Sequence, residues 1–198
     1  AAAEYLVSAI MVLSERQHFD PVGKTVGIVG HGNVGSRVRH KFEALGMRCL
    51  VNDPPLQSQG DVNDFVDLDT LLQADVVTLH VPYTRDGHWP THHLVDAGFL
   101  ARLRPDVILV NTSRGAVVDN RALYGWLGTH KAASAVLDVW ENEPSINLDL
   151  MARVALATPH IAGYSLDGKL RGTDMIYRAV CEFLGHAPAW QVADVLPT

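Results

Sequence analysis

Three polar residues of complementary chemistry each follow a short apolar run. Arg114 comes after DVILVNT, Glu143 after SAVLDVW and His160 after VALATP. An arginine can grip a carboxylate with two parallel hydrogen bonds. A histidine gives or takes a proton near neutral pH, and a carboxylate beside it favours the charged ring. A fourth feature lies earlier. Gly30-His31-Gly32-Asn33-Val34-Gly35 reads G-x-G-x-x-G, follows the apolar run TVGIVG, and has Asp53 at the end of the next apolar run, 23 residues after Gly30. In such a loop Gly30 permits a tight turn, Gly32 lets a pyrophosphate approach the backbone, and Gly35 lets the following helix pack close. The helix N-terminus then offers free N–H groups to phosphates. Asp53 suits the ribose hydroxyls of a dinucleotide and repels a 2′-phosphate, which favours NAD over NADP. An Arg–Glu–His set beside a nicotinamide suits oxidation of a 2-hydroxy acid, or the reverse reaction.

Each residue alone has a plainer explanation: Arg114 as a surface ion pair, Glu143 as a turn residue before Pro144, His160 as a satisfied structural histidine. Their joint placement after successive apolar runs argues for a site. A methyltransferase can carry a similar glycine loop, but that reading gives no reason for the later trio. His88, His92 and His93 share a loop with a tryptophan and a proline, and no carboxylate or cysteine pattern completes a ligand set. No metal is expected, and the tryptophans are assigned to packing.

These residues need a scaffold that brings the ends of distant runs together. The pattern predicts strands at 25–30, 48–53, 75–81, 106–112, 134–140 and 154–158. Helical stretches alternate with them, among them 33–46 and 165–184. Strands alternating with helices imply an α/β fold: a doubly wound, mainly parallel Rossmann-type sheet with helices on both faces. In such folds ligands bind beyond the carboxyl ends of the strands, where the candidate residues fall. Leu6, Ile10 and Leu13 are at helical spacing, so the chain is expected to open in an amphipathic helix, in the manner of a fragment of something longer.

The bulk properties agree. The 198 residues are 47% hydrophobic and 19% charged, with a net charge of −6 and a pI near 5.9. That length suits one domain burying roughly 70% of its unfolded surface. Nothing suggests a nucleic-acid or membrane partner. Cys49 and Cys181 form no C-x-x-C and read as reduced thiols of a cytoplasmic protein.

The stretches GIVGHGNVGSRV, LVNTSRGAVVDNRAL, VLDVWENEP and ATPHIAG, in that order, resemble the successive signatures of the D-isomer-specific 2-hydroxyacid dehydrogenases. The resemblance implies that His160 is the general acid/base, Glu143 its partner, and Arg114 the ligand of the substrate carboxylate and carbonyl. It implies NAD contacts from the glycine loop (Gly30, Gly32, Asn33, Val34, Gly35) and from Asp53, Val81, Thr112, Ser113, Asp138 and Gly163, with Asp138 near the nicotinamide carboxamide. Asp53-Pro54-Pro55, the run 84–94 and the ending 160–173 resemble one branch of the family that acts on a phosphorylated hydroxy acid. By that resemblance Tyr164 touches substrate. Lys169 and Arg171 either add a positive field for a phosphate or simply cap and solvate the last helix. The resemblance further implies an NAD-binding domain over 1–185 and a linker over 186–198. It also implies that the substrate domain and a dimerisation region lie outside this chain, and that the whole protein is a homodimer. Two alternatives stay open: a sister enzyme acting on another acid such as 3-phosphoglycerate, and an NAD-sensing binding protein without turnover.

Overall fold

A computed structural model describes residues 1–60 and 64–192. The chain divides into two compact units, residues 2–162 and the segment from Gly163 onward. Each is described by itself.

In the first unit, α1 (Ala2–Gln17) leads into β1 (Thr25–Val29), α2 (Asn33–Ala44), β2 (Arg48–Asn52) and two short helices, α3 (Pro54–Ser58) and α4 (Leu68–Leu71). Then come β3 (Val76–Leu79), α5 (Ala97–Arg102), β4 (Ile108–Asn111), a 3-10 turn at Gly115–Val117, α6 (Asn120–Thr129), β5 (Ser134–Leu137), α7 (Leu148–Met151) and β6 (Leu156–Ala157). The six strands form one parallel sheet in the order β2-β1-β3-β4-β5-β6. Beyond β2, a single parallel bridge from Val51 to Phe65 begins a further edge.

The four central strands, β1, β3, β4 and β5, are rich in β-branched residues and buried on both faces, as a parallel sheet between helices requires. Successive side chains alternate. Val76, Ile108, Val110 and Val136 pack with α1 and α2 on one face, around Leu6, Ile10 and Phe42. Val77, Leu79, Leu109, Ala135 and Leu137 pack on the other face with Leu100, Leu123 and Leu150 from α5, α6 and α7. Each Val, Leu, Ile or Phe side chain among them contributes about 1.5–3 kcal/mol of burial. The α/β reading therefore holds, with strands shorter than the apolar runs suggested. The run 154–158, for instance, pairs only at Leu156–Ala157. The residues beyond the paired stretches bend into the loops that carry the candidate site. The sequence pattern also missed α3, where Pro54 and Pro55 fill the first helical positions, whose N–H groups need no partner, behind the cap of Asp53.

The second unit holds α8 (Leu166–Phe183), capped by Ser165. The segment after it folds back on the helix, since the N–H groups of Ala189 and Trp190 donate to Tyr177 Oη at 2.8 and 3.3 Å. Of the linker expected at 186–198, the last six positions lie outside the described residues. Among the described residues no helix is long and apolar enough to cross a membrane.

Candidate active site

The order of the sheet sends β1 to β2 in one direction and β2 to β3 in the other, so the chain reverses beside the carboxyl end of β1. The glycine loop lies there. Gly30 has φ +92°, and a Cβ on it would meet the His80 carbonyl oxygen at 2.6 Å. A Cβ on Gly35 would sit 2.0 Å from the Gly30 carbonyl oxygen. Gly32 differs, because a Cβ there would meet nothing within 4 Å. Space for a ligand therefore opens over Gly32, at the start of α2.

The ends of the helices sharpen this. Side chains of Asp53, Asp67, Asp96, Asp119, Asn147 and Ser165 cap α3 to α8. No side chain caps α2, which begins at Gly32. Its first N–H groups and the positive end of its dipole are left for an anion from outside the chain. That fits the pyrophosphate of a dinucleotide.

Asp53 ties this corner together. Its Oδ2 accepts from the backbone N–H of His31 at 2.7 Å, and its Oδ1 accepts from Leu56 N–H at 3.0 Å. Each oxygen keeps a lone pair for a ribose hydroxyl. Val81 abuts Gly30, its Cγ1 lying 3.0 Å from where a Cβ would stand. Asn33 and Val34 are exposed on the first turn of α2. At the end of β4 the Thr112 hydroxyl oxygen is buried and has no hydrogen-bond partner. Ser113 is used internally, its hydroxyl donating to Asn111 Oδ1 at 2.8 Å.

The trio stands on three adjacent parallel strands, with Arg114 after β4, Glu143 after β5 and His160 after β6. His160 Nδ1 pairs with Glu143 Oε2 at 2.8 Å. The other Glu143 oxygen accepts from Trp140 N–H at 2.6 Å. Glu143 is thus fixed to its own turn and holds the imidazole by Nδ1. Nε2 is left for another group on a side chain that is 49% exposed. His160 has φ +57°, a conformation few non-glycine residues adopt. Asp138 supports it. The Asp138 carbonyl accepts His160 N–H at 2.7 Å. The Asp138 carboxylate, in a residue only 1% exposed, accepts from Thr158 Oγ1 at 2.6 Å and from the N–H groups of Ile161 and Ala162, both at 2.8 Å. Arg114 is exposed, and its Nη1 donates to the Ser113 carbonyl at 2.7 Å. A cavity of about 300 Å³ opens beside the pair, walled by Trp140, Pro144, Ile146, Met151 and Pro159.

Gly163 and Tyr164 belong to the second unit. There the Lys169 ammonium lies 3.8 Å from the centre of the Tyr164 ring, and a hydrogen bond with that ammonium lowers the phenol pKa. Sequence reasoning missed two parts of this arrangement. The Trp140 N–H that clamps Glu143 is backbone, and the Thr158 hydroxyl that feeds Asp138 is an unremarkable residue of its run. Neither has a sequence signal.

A model of the NAD binding domain of D-isomer specific 2-hydroxyacid dehydrogenases matches residues 9–162. Erythronate-4-phosphate dehydrogenase of Pseudoalteromonas atlantica is 47% identical over 197 residues, 100% of this chain and 53% of that protein. The enzyme of the same name from Cronobacter sakazakii is 48% identical over 198 residues, 100% of this chain and 52% of its own length. The chain therefore spans about half the length of the curated relatives it matches. Among solved structures, D-lactate dehydrogenase of Aquifex aeolicus, complexed with NAD and lactic acid, superimposes with a TM-score of 0.70 at 28% identity, covering 93% of this chain and 66% of that one. A D-lactate dehydrogenase from Sporolactobacillus gives 0.75 at 29% identity, covering 94% and 66%.

Proposed function

The chain belongs to the D-isomer specific 2-hydroxyacid dehydrogenases, as an NAD-binding domain of that family, and on that footing we propose that the whole protein oxidises 4-phospho-D-erythronate to 2-oxo-3-hydroxy-4-phosphobutanoate, a step of pyridoxine biosynthesis. The observation that carries the reading is the His160–Glu143 pair at 2.8 Å, presented at the carboxyl edge of a parallel sheet whose glycine-loop helix lacks a side-chain cap.

Bound NAD supplies the hydride acceptor. The Arg114 guanidinium holds the substrate carboxylate through paired hydrogen bonds. His160 Nε2 takes the C2 hydroxyl proton as the hydride leaves C2, and the Glu143 carboxylate on Nδ1 offsets the positive charge the ring acquires. In the reverse direction the same ring returns the proton. Thr112 and Asp53 are the side chains suited to the cofactor, Thr112 by its unpartnered hydroxyl and Asp53 by its free lone pairs. Tyr164 is assigned to the substrate by resemblance. The same reading makes the whole protein a cytoplasmic homodimer, which sedimentation of the whole protein tests.

The activity is tested by following NADH formation by the whole protein with 4-phospho-D-erythronate, 3-phosphoglycerate and D-lactate in parallel. The proposal expects the highest kcat/KM on 4-phospho-D-erythronate. Preference for another acid would make it a sister enzyme. NAD binding without turnover on any of the three would support a sensing role.

A further inference from the structure

Two residues have no part in the chemistry above: Glu141, two positions before Glu143, and His93, one of the histidines in the loop after β3. We propose that His93 is a positioning residue that clasps the turn carrying Arg114 to the turn carrying Glu143. The proposal rests on the dehydrogenase reading, and it deepens that reading.

His93 reaches both turns at once. Its backbone N–H donates to the carbonyl of Ala116, two residues after Arg114, at 2.8 Å. Its Nε2 donates to Glu141 Oε1 at 2.6 Å. The residue adopts φ +49°, uncommon for a non-glycine residue. The acceptor is itself well anchored. Glu141 Oε2 takes the N–H of Asn120 at the start of α6 at 2.8 Å, and the Glu141 N–H donates to Asn120 Oδ1 at 3.3 Å.

From Glu141 the connection to the candidate chemistry is short. Asn142 makes a tight turn at φ +60°, and Glu143 then folds back so that its Oε1 accepts from Trp140 N–H at 2.6 Å. The turn 140–143 is thus held on one side by Glu141 and on the other by Glu143, which grips His160 Nδ1. The two clasped turns also touch directly, since a Cβ on Gly115 would lie 1.9 Å from the Trp140 carbonyl oxygen. A shift of one turn therefore moves the other. Around the ring, Asp119 Oδ2 lies 4.0 Å from His93 Nδ1 and His92 stacks at 4.0 Å between ring centres. The imidazole is hemmed in and its Nε2 directed at Glu141.

The variants His93→Ala, His93→Gln and Glu141→Gln separate positioning from general support. In the whole protein, His93→Ala should lower kcat by about 10²-fold, the scale of a 1 Å misplacement, with KM for NAD changed by less than about twofold. His93→Gln should restore most of the loss, because its amide nitrogen reaches close to the place of Nε2. In the 198-residue chain, amide exchange at Trp140 should quicken in His93→Ala and in Glu141→Gln, and return toward wild type in His93→Gln, while β1 and β3 amides stay protected. Wild-type exchange at Trp140 in His93→Ala, or a uniform loss of protection across all strands, would overturn the proposal. If His93→Ala does not fold, the Gln variants decide it. A wild-type protein inactive on every acid would remove the dehydrogenase reading, and the Trp140 exchange, which needs no substrate, would still decide the clasp.

Discussion

Gly32 and Gly35 stand three residues apart in one loop, and the structure gives a methyl group opposite consequences at the two. At Gly35 a Cβ would fall 2.0 Å from the Gly30 carbonyl oxygen, inside the 3.0 Å that real Cβ atoms essentially never breach. Helix α2 and the turn must therefore separate by about 1 Å, and backbone lies on both sides of the clash. Overpacking of this kind costs about 1–3 kcal/mol, and the displaced N–H groups of α2 no longer converge on a phosphate. At Gly32 the same methyl meets nothing within 4 Å, and φ −69° suits any residue. Gly32→Ala should therefore stay within about 0.5 kcal/mol of wild type, yet it occupies the space that a pyrophosphate would take. Urea unfolding and calorimetric titration with NAD on the 198-residue chain measure the two effects. The expected outcome is a dissociation of properties. Gly32→Ala loses NAD affinity by about tenfold or more, roughly 1.4 kcal/mol, at unchanged stability, and Gly35→Ala loses both. Wild-type NAD affinity in Gly32→Ala would refute the placement of the pyrophosphate. Wild-type stability in Gly35→Ala would refute the packing argument.

Asp53→Asn keeps an acceptor for the α3 cap and removes the charge, so it should shift the ratio of NAD to NADP affinity toward NADP by about tenfold, roughly 1.4 kcal/mol; Asp53→Ala would also lose the cap, at about 0.5–2 kcal/mol. Burial holds the His80 imidazole at a pKa of about 4, down from 6.5. The unfolded chain therefore binds the proton first as pH falls, and stability that is full above pH 6.5 should decline between 6.5 and 4, by at most about 3 kcal/mol. Chemical unfolding across that window checks this, and His80→Asn should flatten the slope. His160→Ala should abolish turnover in the whole protein while NAD titration stays near wild type, and a variant retaining turnover would remove His160 from the chemistry.

Much of the scaffold was legible because its signals are local. Apolar β-branched runs of four to seven residues can only be buried strands when amphipathic stretches separate them, and that alternation carries the parallel sheet. The glycine loop was legible because backbone turn, close approach and helix packing each demand glycine within six consecutive residues. Arg114, Glu143 and His160 were legible as candidates because each follows a strand, and parallel strands bring their ends to one edge. The pairings were not legible from local pattern: Glu143 came to His160 only through the family resemblance, and nothing gave Glu141 its partner. Glu141 and Glu143 are near-identical neighbours in the sequence, and only the chain path turns one toward His93, 48 positions away, and the other toward His160. The family resemblance alone made Asp138 a cofactor ligand, while the fold sets its carboxylate beneath Thr158, Ile161 and Ala162. Asp53 read as a ribose acceptor, and the structure adds its cap of α3 and its hold on His31. A side chain's type and local period decide which element it joins. Which partner satisfies it depends on contacts that close only when distant segments pack, and no local pattern encodes those.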